Sequence, residues 1–260
     1  MLLDSKILAL FFDIAERNRD KIINMLKEKR IVGINPHGGY TRYFDKAIES
    51  LIIGELRKSG YEGYIVGEEL GISDGKREEW IYIDPLDGSH NVARGINFYC
   101  LSVAYGTGSR IDDVKSALVW DIPNDVYYVA EKGKGAYRLY GNKMERIKTT
   151  KNYDVIILDV GFTIKEKCLK KIAEIGTFRR LGSIIISSMK VAEGMLEGIF
   201  DVNKLRATDV AAAYLILQEA NAYAYVEPKE IHTNPTVRFI AAKNKDIYDM
   251  LMQIYKNCKD

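Results

Sequence analysis

The stretch "WIYIDPLDGSHN" (residues 80–91) begins as an apolar strand and then places two carboxylates, Asp84 and Asp87, three residues apart. Between them, Pro85 lacks an amide hydrogen, so we expect the strand ladder to end there and the chain to turn. A turned Asp-Pro-Leu-Asp segment can aim both carboxylates and the Leu86 carbonyl oxygen at one centre. Hard oxygen donors of this kind are the ligands that Mg²⁺ prefers in proteins.

The two residues after this segment can bind an anion. Gly88 lets the backbone approach closely, and Ser89 begins a helix or turn whose amide groups are free. A metal ion and a phosphate group would then share one place in the fold. The structural alternative is that Asp84 ends a strand, Asp87-Gly88 forms an ordinary turn and Ser89 caps a helix. The stretch by itself leaves both interpretations open.

Two other acidic stretches could complete a metal site. In "VGEELG" (66–71), Glu68 and Glu69 follow a strand and a glycine, and they would reach Asp84 if the two strands pair. In "RATDVAAAYL", Asp209 begins a helix that looks fully buried, so its carboxylate needs a partner in the core. The structural alternatives are a surface turn for the glutamates and a first-turn acid that complements the helix dipole for Asp209.

Composition and charge exclude several classes of function. Lysine plus arginine number 38 against 36 for aspartate plus glutamate, and a net charge of +2 does not favour nucleic acid or an anionic membrane. The N-terminal apolar run from Ile7 to Phe12 is too short for a signal peptide, and no stretch is long enough to span a membrane. We therefore expect a cytoplasmic protein with no membrane and no nucleic-acid partner.

The cysteine pattern bears on metal sites and on the redox compartment. Cys100, Cys168 and Cys258 are far apart, no Cys-x-x-Cys pair occurs, and none of the 3 histidines is near a cysteine. This argues against a zinc site. The odd number and wide spacing predict free thiols in a reducing compartment rather than a disulfide scaffold.

Apolar periodicity predicts the elements of the N-terminal part. Helical spacing predicts an amphipathic helix over 4–29, broken near Asn18, and a second helix over 42–58. The segment 33–41 between them is rich in turn formers and is predicted as a loop. Residues 74–79 are predicted as a solvated turn ahead of the apolar strand.

The pattern of elements changes near residue 150. Before it, paired strands follow the helices, which predicts an α+β half over residues 1–150. After it, strands and helices alternate, which predicts an α/β half over residues 151–260. We expect the two halves to share a cleft.

The acidic stretches resemble, in their order and spacing, those of the inositol monophosphatase / fructose-1,6-bisphosphatase superfamily of metal-dependent phosphatases. The matching pieces are Gly67-Glu68-Glu69, Asp84-Pro85-Leu86-Asp87-Gly88-Ser89 and Asp209-Val210-Ala211-Ala212. The resemblance covers nearly the whole chain and is closest to the archaeal-type branch, in which one enzyme dephosphorylates both fructose 1,6-bisphosphate and inositol phosphates. It implies a layered αβαβα sandwich of the sugar-phosphatase type, with most metal ligands in the N-terminal half.

The resemblance also implies a role for each matching residue. Asp45 would orient the hydroxyl of Ser89. Together with Glu68, these two residues would position a metal-activated water for in-line attack on the phosphate. Gly88 and Ser89 would present backbone amides to that phosphate. Two or three Mg²⁺ ions, with Mn²⁺ as an alternative, would be held by the following groups: Glu68, Asp84, the Leu86 carbonyl, Asp87 and Asp209, with Glu69 in support.

Basic residues in the C-terminal half are expected on the substrate side of the cleft. These are Arg179, Arg180, Lys204 and Arg206. A pair of them could hold the second phosphate of a sugar bisphosphate through charge-assisted hydrogen bonds. The alternative is that they are solvated surface charges.

The resemblance leaves other functions open. One is a nucleotidase that cleaves 3′(2′),5′-bisphosphates, and another is a non-catalytic protein that binds a metal or a sugar phosphate with the same fold. Thr208 and Val202 stand where the family has a tryptophan and an inositol-contacting glutamate, which argues against a strict inositol phosphatase. The resemblance implies a homodimer or a homotetramer.

Overall fold

Helices and sheets alternate in five layers across the part of the chain that the computed structural model describes, residues 5–36, 38–150 and 153–258. The described residues form the α-helices α1 (Lys6–Arg17), α2 (Arg19–Met25), α3 (Tyr43–Lys58), α4 (Ser89–Arg94), α5 (Glu166–Ile175), α6 (Ile184–Ala192), α7 (Ala207–Glu219) and α8 (Lys245–Cys258). The predicted break in the first helix is confirmed, since α1 ends just before Asn18 and α2 begins just after it.

The strands form an eight-stranded sheet, a five-stranded sheet and a two-stranded hairpin. They are β1 (Ile31–Ile34), β2 (Tyr40–Arg42), β3 (Gly63–Gly67), β4 (Ile72–Ser73), β5 (Arg77–Asp87), β6 (Cys100–Gly106), β7 (Val114–Asp121), β8 (Val126–Glu131), β9 (Gly135–Tyr140), β10 (Lys143–Arg146), β11 (Ile157–Val160), β12 (Thr177–Arg179), β13 (Gly198–Arg206), β14 (Tyr223–Glu227) and β15 (Thr236–Ala242).

The eight-stranded sheet has the order β10-β9-β8-β7-β6-β5-β3-β4. Its neighbours are antiparallel except for β3 and β5, which run parallel with Gly67 opposite Ile83. Because parallel strands end at the same edge of a sheet, the residues after Gly67 lie beside Asp84. The convergence of the two acidic stretches by strand pairing is therefore observed.

The five-stranded sheet has the order β12-β11-β13-β15-β14, with β12, β11 and β13 parallel to one another. The last two strands, β15 and β14, are antiparallel to their neighbours. Each sheet lies within one of the predicted halves. Among the described residues, none of the helices combines the length and the apolar composition that a transmembrane span requires.

Three apolar clusters hold the layers together. The first joins α1, α2 and α3 to the outer face of the eight-stranded sheet, around residues such as Phe44 and Trp120. The second fills the space between the two sheets with α6 and α7, and the third joins α5 and α8 to the outer face of the five-stranded sheet. Because α7 lies between two sheets, it is apolar on nearly every side. This is the predicted layered αβαβα sandwich.

Two predicted irregular segments contain regular structure. Residues 33–41, predicted as a loop, belong largely to a hairpin in which β1 pairs with β2; His37 in this segment lies outside the described residues. Residues 77–79, predicted within a solvated turn, already belong to β5.

The ladder is interrupted at Pro85 as predicted, but the strand does not end there, since β5 continues to Asp87. The pairing of β5 with β6 shifts register between Asp84 and Asp87. A bulge of this kind accommodates a proline, because the bulged residue makes no ladder hydrogen bond. The bulge also re-aims the side chains that leave the strand on either side of the proline.

The prediction of free thiols is wrong for two of the three cysteines. Cys168 on α5 and Cys258 at the end of α8 form a disulfide, with Cα atoms 5.8 Å apart and a sequence separation of 90. The two helices pack side by side on the five-stranded sheet, and this neighbourhood is not visible in the spacing of the cysteines. Cys100 is a buried free thiol.

Candidate active site

Three carboxylates from separate elements meet at one edge of the eight-stranded sheet. Glu68 follows β3, Asp84 lies in β5, and Asp209 is in the first turn of α7. One oxygen atom of each lies within 4.8 Å of the others. Asp84 is buried, and the other two residues are partly buried.

Backbone amides fix the orientation of two of these carboxylates. The Leu86 N–H donates a 3.0 Å hydrogen bond to Oδ1 of Asp84, across the bulge of β5. The Arg206 N–H donates to Oδ2 of Asp209 at 2.7 Å, so that this aspartate also caps α7. The helix-cap alternative and the metal-ligand interpretation of Asp209 are therefore compatible, since capping occupies one oxygen.

Burial and mutual repulsion raise the pKa of all three carboxyl groups. Burial raises the pKa of Glu68 and of Asp84 well above the usual range, and the neighbouring carboxylates raise both further. Burial raises the pKa of Asp209 to about 7, although the hydrogen bond from the Arg206 amide acts in the opposite direction. A cluster of this kind is costly to ionise unless a cation neutralises it.

The three carboxylates open onto a cavity of about 290 Å³ between the two halves. Asp87 and Ser89 line it from the end of β5, Tyr40 from the β1–β2 hairpin, and Phe162 from the C-terminal half. No lysine or arginine is among the described residues of its wall. Hard carboxylate oxygens with no lysine or arginine beside them are a donor set that fits divalent cations such as Mg²⁺.

Asp87 joins the cluster to the C-terminal half. Its Oδ2 atom accepts hydrogen bonds of 2.6 Å from the Ser183 hydroxyl and 2.6 Å from the Ile185 amide, at the start of α6. Burial raises the pKa of Asp87 to about 6, against these hydrogen bonds. One oxygen is thus held by α6, while the residue also lines the cavity. The position of Asp87 beside the three carboxylates therefore depends on the packing of α6 against the end of β5.

The hydroxyl of Ser89 is held by Asp45, as the resemblance implies. Ser89 Oγ donates to Asp45 Oδ1 at 2.7 Å, and it also lies 2.9 Å from the Leu86 carbonyl oxygen. The second carboxylate oxygen of Asp45 accepts the Arg42 N–H at the start of α3. Burial raises the pKa of Asp45 to about 7, against the hydrogen bond from Ser89.

Gly88 precedes α4 in a conformation that favours glycine. Its φ angle is +100°, and a Cβ atom at this position would lie 2.9 Å from the Phe98 carbonyl oxygen. The glycine thus lets the chain turn into α4 close to the neighbouring strand, and it places the amide of Ser89 at the cavity wall.

Glu69 is directed toward the hairpin rather than into the three-carboxylate cluster. Its Oε2 atom accepts a hydrogen bond from the Thr41 hydroxyl, and the side chain is buried. Burial raises the pKa of Glu69, against the hydrogen bonds from Thr41 and Asn35. Glu69 still lines the cavity, so it is placed beside the cluster.

Of the four basic residues that were expected on the substrate side, the structure places Arg180 next to the site. Arg180 lines a cavity of about 90 Å³ that shares Asp87, Phe162 and Gly182 with the larger cavity. Arg180 is exposed to solvent and lies in the wall of the smaller cavity beside the site.

The other three basic residues line neither cavity. The guanidinium of Arg179 donates to the carbonyl oxygen of the preceding Phe178, and that of Arg206 donates to the Thr236 hydroxyl at 2.7 Å. Lys204 is exposed. These contacts fit the alternative of surface charges better than a substrate contact.

Glu49 and Asp201 are among the buried acids near the site that sequence reasoning missed. Glu49 on α3 accepts the amides of Glu69 and Leu70, and burial raises its pKa to about 7 against the hydrogen bonds from these amides. Asp201 on β13 lines the smaller cavity with Arg180, and burial raises its pKa to about 6. The spacing of Glu49 four residues after Asp45, on the same helix face, is a signal that could have identified it.

Fold and site together are those of a phosphatase family. Residues 37–260 match the inositol monophosphatase family. The chain belongs to this family and is a phosphoric monoester hydrolase. The resemblance seen in the acidic motifs is thereby confirmed.

Individual relatives show which members of the family the chain is similar to. The chain is 29% identical over 252 residues to the fructose-1,6-bisphosphatase/inositol-1-monophosphatase of Thermococcus kodakarensis, covering 94% of each protein. It is 34% identical over 191 residues to the Nus factor SuhB of Escherichia coli, covering 68% of this chain and 67% of that protein. The solved structure of an inositol monophosphatase–fructose 1,6-bisphosphatase has a TM-score of 0.81 with this chain at 28% identity, covering 95% of this chain and 98% of the other.

Proposed function

We propose that the protein is a Mg²⁺-dependent phosphomonoesterase that hydrolyses fructose 1,6-bisphosphate, inositol 1-phosphate or both. One observation carries this proposal: three carboxylate oxygens lie within 4.8 Å of one another in a cavity with no lysine or arginine among its described lining residues. When ionised, such a cluster has a negative charge that bound cations can balance. The names of the similar enzymes support the choice of substrates.

The residues present fit a site for two or three Mg²⁺ ions. Glu68, Asp84 and Asp209 would hold them, with Asp87, the Leu86 carbonyl and Glu69 completing the set. When bound, Mg²⁺ lowers the pKa of coordinated water and neutralises charge on the phosphoryl oxygens.

The chain's own groups would orient the reactants. Because Ser89 donates its hydroxyl proton to Asp45, its oxygen lone pairs are free to accept a hydrogen bond from the attacking water. Glu68, facing the same cavity, would help to orient that water. The amides of Gly88 and Ser89 would bind the phosphate, and their rigid turn would keep it in line for attack.

Arg180 is the residue that would recognise a second phosphate. It lines the small cavity that continues from the larger one, and a guanidinium binds phosphate oxygens through charge-assisted, bidentate hydrogen bonds. Hydrolysis of fructose 1,6-bisphosphate would then depend on Arg180, while hydrolysis of a monophosphate would not.

A substrate panel tests this proposal. We would measure kcat/KM with Mg²⁺ for fructose 1,6-bisphosphate, inositol 1-phosphate and 3′-phosphoadenosine 5′-phosphate, using the wild type, Arg180→Ala and the exposed neighbour Arg179→Ala as control. Arg180→Ala should lower kcat/KM for fructose 1,6-bisphosphate roughly 10-fold or more, as expected for a lost charge-assisted hydrogen bond, and leave inositol 1-phosphate unchanged. Equal losses on both substrates would refute the assignment of Arg180, and preference for the nucleotide would refute the choice of substrate.

The similarity to a protein named as a Nus factor supports a binding role in addition to hydrolysis as the second candidate. If binding were the main role, phosphate release from every member of the panel would be slow even with Mg²⁺ bound. The same assay therefore separates the two functions.

A further inference from the structure

The loop between β3 and β4, Gly67 to Gly71, carries both glutamates of the candidate site. The loop closes on itself through a 2.8 Å hydrogen bond from the Gly67 amide to the Gly71 carbonyl oxygen. It contains no helix or ladder hydrogen bonds that would fix residues 68–70 in place. The direction of the Glu68 side chain therefore depends on what holds this loop.

The carboxylate of Glu49 holds the loop from the side of α3. Its Oε2 atom accepts the Glu69 amide at 3.0 Å, and its Oε1 atom accepts the Leu70 amide at 2.7 Å. Glu49 is 0% exposed, and no ion pair links it to a described lysine or arginine. Each carboxylate oxygen thus fixes one of two successive amides directly after Glu68.

The position of Glu49 also explains the glycine of the Gly-Glu-Glu motif. A Cβ atom at Gly67 would lie 2.2 Å from Oε1 and 2.5 Å from Cδ of Glu49. Any larger residue at position 67 would therefore displace the carboxylate that binds the loop. The glycine and the buried glutamate form one structural unit, although they lie 18 positions apart in the sequence.

The helix α3 thereby connects two parts of the site. Asp45 and Glu49 are one helical turn apart on the same face, and the first holds the Ser89 hydroxyl while the second holds the Glu68 loop. A carboxylate without a counter-charge is costly to bury, and a plain apolar residue would pack on α3 at lower cost. Both hydrogen bonds that Glu49 accepts come from the loop that carries the candidate ligand Glu68.

We propose that Glu49 is a positioning residue that preorganises Glu68 for metal binding. By fixing the amides of residues 69 and 70, it holds the Glu68 carboxylate toward Asp84 and Asp209 before a cation arrives. This rests on the proposed function in so far as the three carboxylates bind Mg²⁺. Loss of the Glu49 contacts would leave the ligands present but less well placed, which lowers metal affinity rather than abolishing chemistry.

The test compares Glu49→Gln with Glu197→Gln. Glutamine has the size of glutamate, but its NH₂ group faces one of the two amides and cannot accept from it. Glu197 is a similarly buried acid in a different part of the fold; it accepts the Ile157 amide at 2.7 Å and also pairs with Lys243 at 2.7 Å. The readouts are the Mg²⁺ concentration that gives half-maximal thermal stabilisation, the melting temperature in EDTA, and kcat and KM at saturating Mg²⁺.

We expect both variants to melt at a lower temperature in EDTA, since each loses a buried hydrogen bond. Only Glu49→Gln should raise the half-saturating Mg²⁺ concentration, by about 10-fold, the usual effect of removing a residue that orients a ligand. At saturating Mg²⁺ its kcat and KM should return to within a few-fold of the wild type. An unchanged half-saturating concentration would overturn the proposal.

Gly67→Ala tests the same contact without altering Glu49. It should raise the half-saturating Mg²⁺ concentration in the same direction, because the added methyl group displaces the carboxylate. Failure of both Glu49→Gln and Gly67→Ala to fold would count against the proposal. It would mean that the Glu49 carboxylate is needed for folding and not specifically for metal affinity. A wild type that Mg²⁺ does not stabilise would refute the proposed function itself, which is a separate outcome.

Discussion

Replacing Asp84 by asparagine should stabilise the protein when no metal is bound. Asparagine has the shape of aspartate, and its side-chain oxygen can still accept the Leu86 N–H that now donates to Oδ1 at 3.0 Å. Its NH₂ group can donate to the Glu68 carboxylate instead of repelling it. The substitution therefore removes charge from the cluster and keeps the local hydrogen bonds.

The size of the effect follows from the spacing of the carboxylates. Two unit charges separated by 4.8 Å, the limit on the oxygen separations here, repel by about 3.5 kcal/mol at an effective dielectric constant of about 20. Partial protonation in the wild type and relaxation of the side chains reduce this. We expect the free energy of unfolding in EDTA at pH 8 to rise by about 2 kcal/mol, which raises the melting temperature by roughly 4–8 °C.

The assay is thermal and urea unfolding in EDTA and in excess Mg²⁺. Asp84→Asn should gain stability in EDTA and lose most of the stabilisation that Mg²⁺ gives the wild type. Asp112→Asn is a control that should change stability in the opposite direction. Burial raises the pKa of Asp112, but the hydrogen bond from Tyr214 and the charge of Lys229 outweigh burial and lower that pKa. Asparagine at this position should therefore destabilise the protein. If Asp84→Asn were less stable than the wild type in EDTA, the view of the cluster as unneutralised charge would be wrong.

Three further predictions follow from the site and the fold. Burial raises the pKa of Asp45 and of Asp209 to about 7, from unfolded values near 4, so metal-free protein should melt at a higher temperature at pH 5 than at pH 8; a melting temperature in EDTA that rises with pH would contradict this. Reducing the disulfide between α5 and α8 should lower the free energy of unfolding by about 4–5 kcal/mol, the loop-entropy value for its 90-residue separation, and equal urea midpoints with and without reductant would show that the bond does not form. Gly88→Ala should reduce phosphate release at least about 10-fold while the protein stays folded, because glycine alone fits the φ of +100° at the phosphate-facing turn, and wild-type activity would remove that turn from the mechanism.

Much of the fold follows from local sequence pattern. The break of the first helix at Asn18, the alternation after residue 150 and the acidic ends of β3 and β5 each rest on periodicity or on residue type, and the structure has them. The five-layer arrangement came from the resemblance of three short motifs to a known family. Periodicity alone would not have specified which face of each sheet the helices cover.

The features that sequence did not predict depend on contacts between distant segments. The hairpin formed by β1 and β2 has turn-forming residues at its centre and exposed strands, so no apolar alternation identifies it. The pairing of Cys168 with Cys258 depends on the packing of α5 against α8. The spacing of Glu49 from Asp45 places the two acids on one helix face, but the contact of Glu49 with the loop after Gly67 is visible only in three dimensions.

Packing also decided which basic residue lies at the site. The sequence offered Arg179 and Arg180 as equivalent neighbours, but successive residues at a strand end point in different directions. Only Arg180 lines the cavity that adjoins the carboxylates. Which of two successive side chains faces the cavity depends on the exact register of β12 against β11.

The most direct test of the central claim is the rate of phosphate release as a function of Mg²⁺ concentration, for the wild type and for Asp209→Asn. With fructose 1,6-bisphosphate and inositol 1-phosphate as substrates, the wild-type rate should rise to saturation with Mg²⁺ and vanish in EDTA. Asp209→Asn should lower kcat/KM at least about 100-fold, because it removes one of the three converging carboxylates. Phosphate release that persists in EDTA, or that survives the loss of Asp209, would contradict a metal-dependent phosphatase site at this cluster.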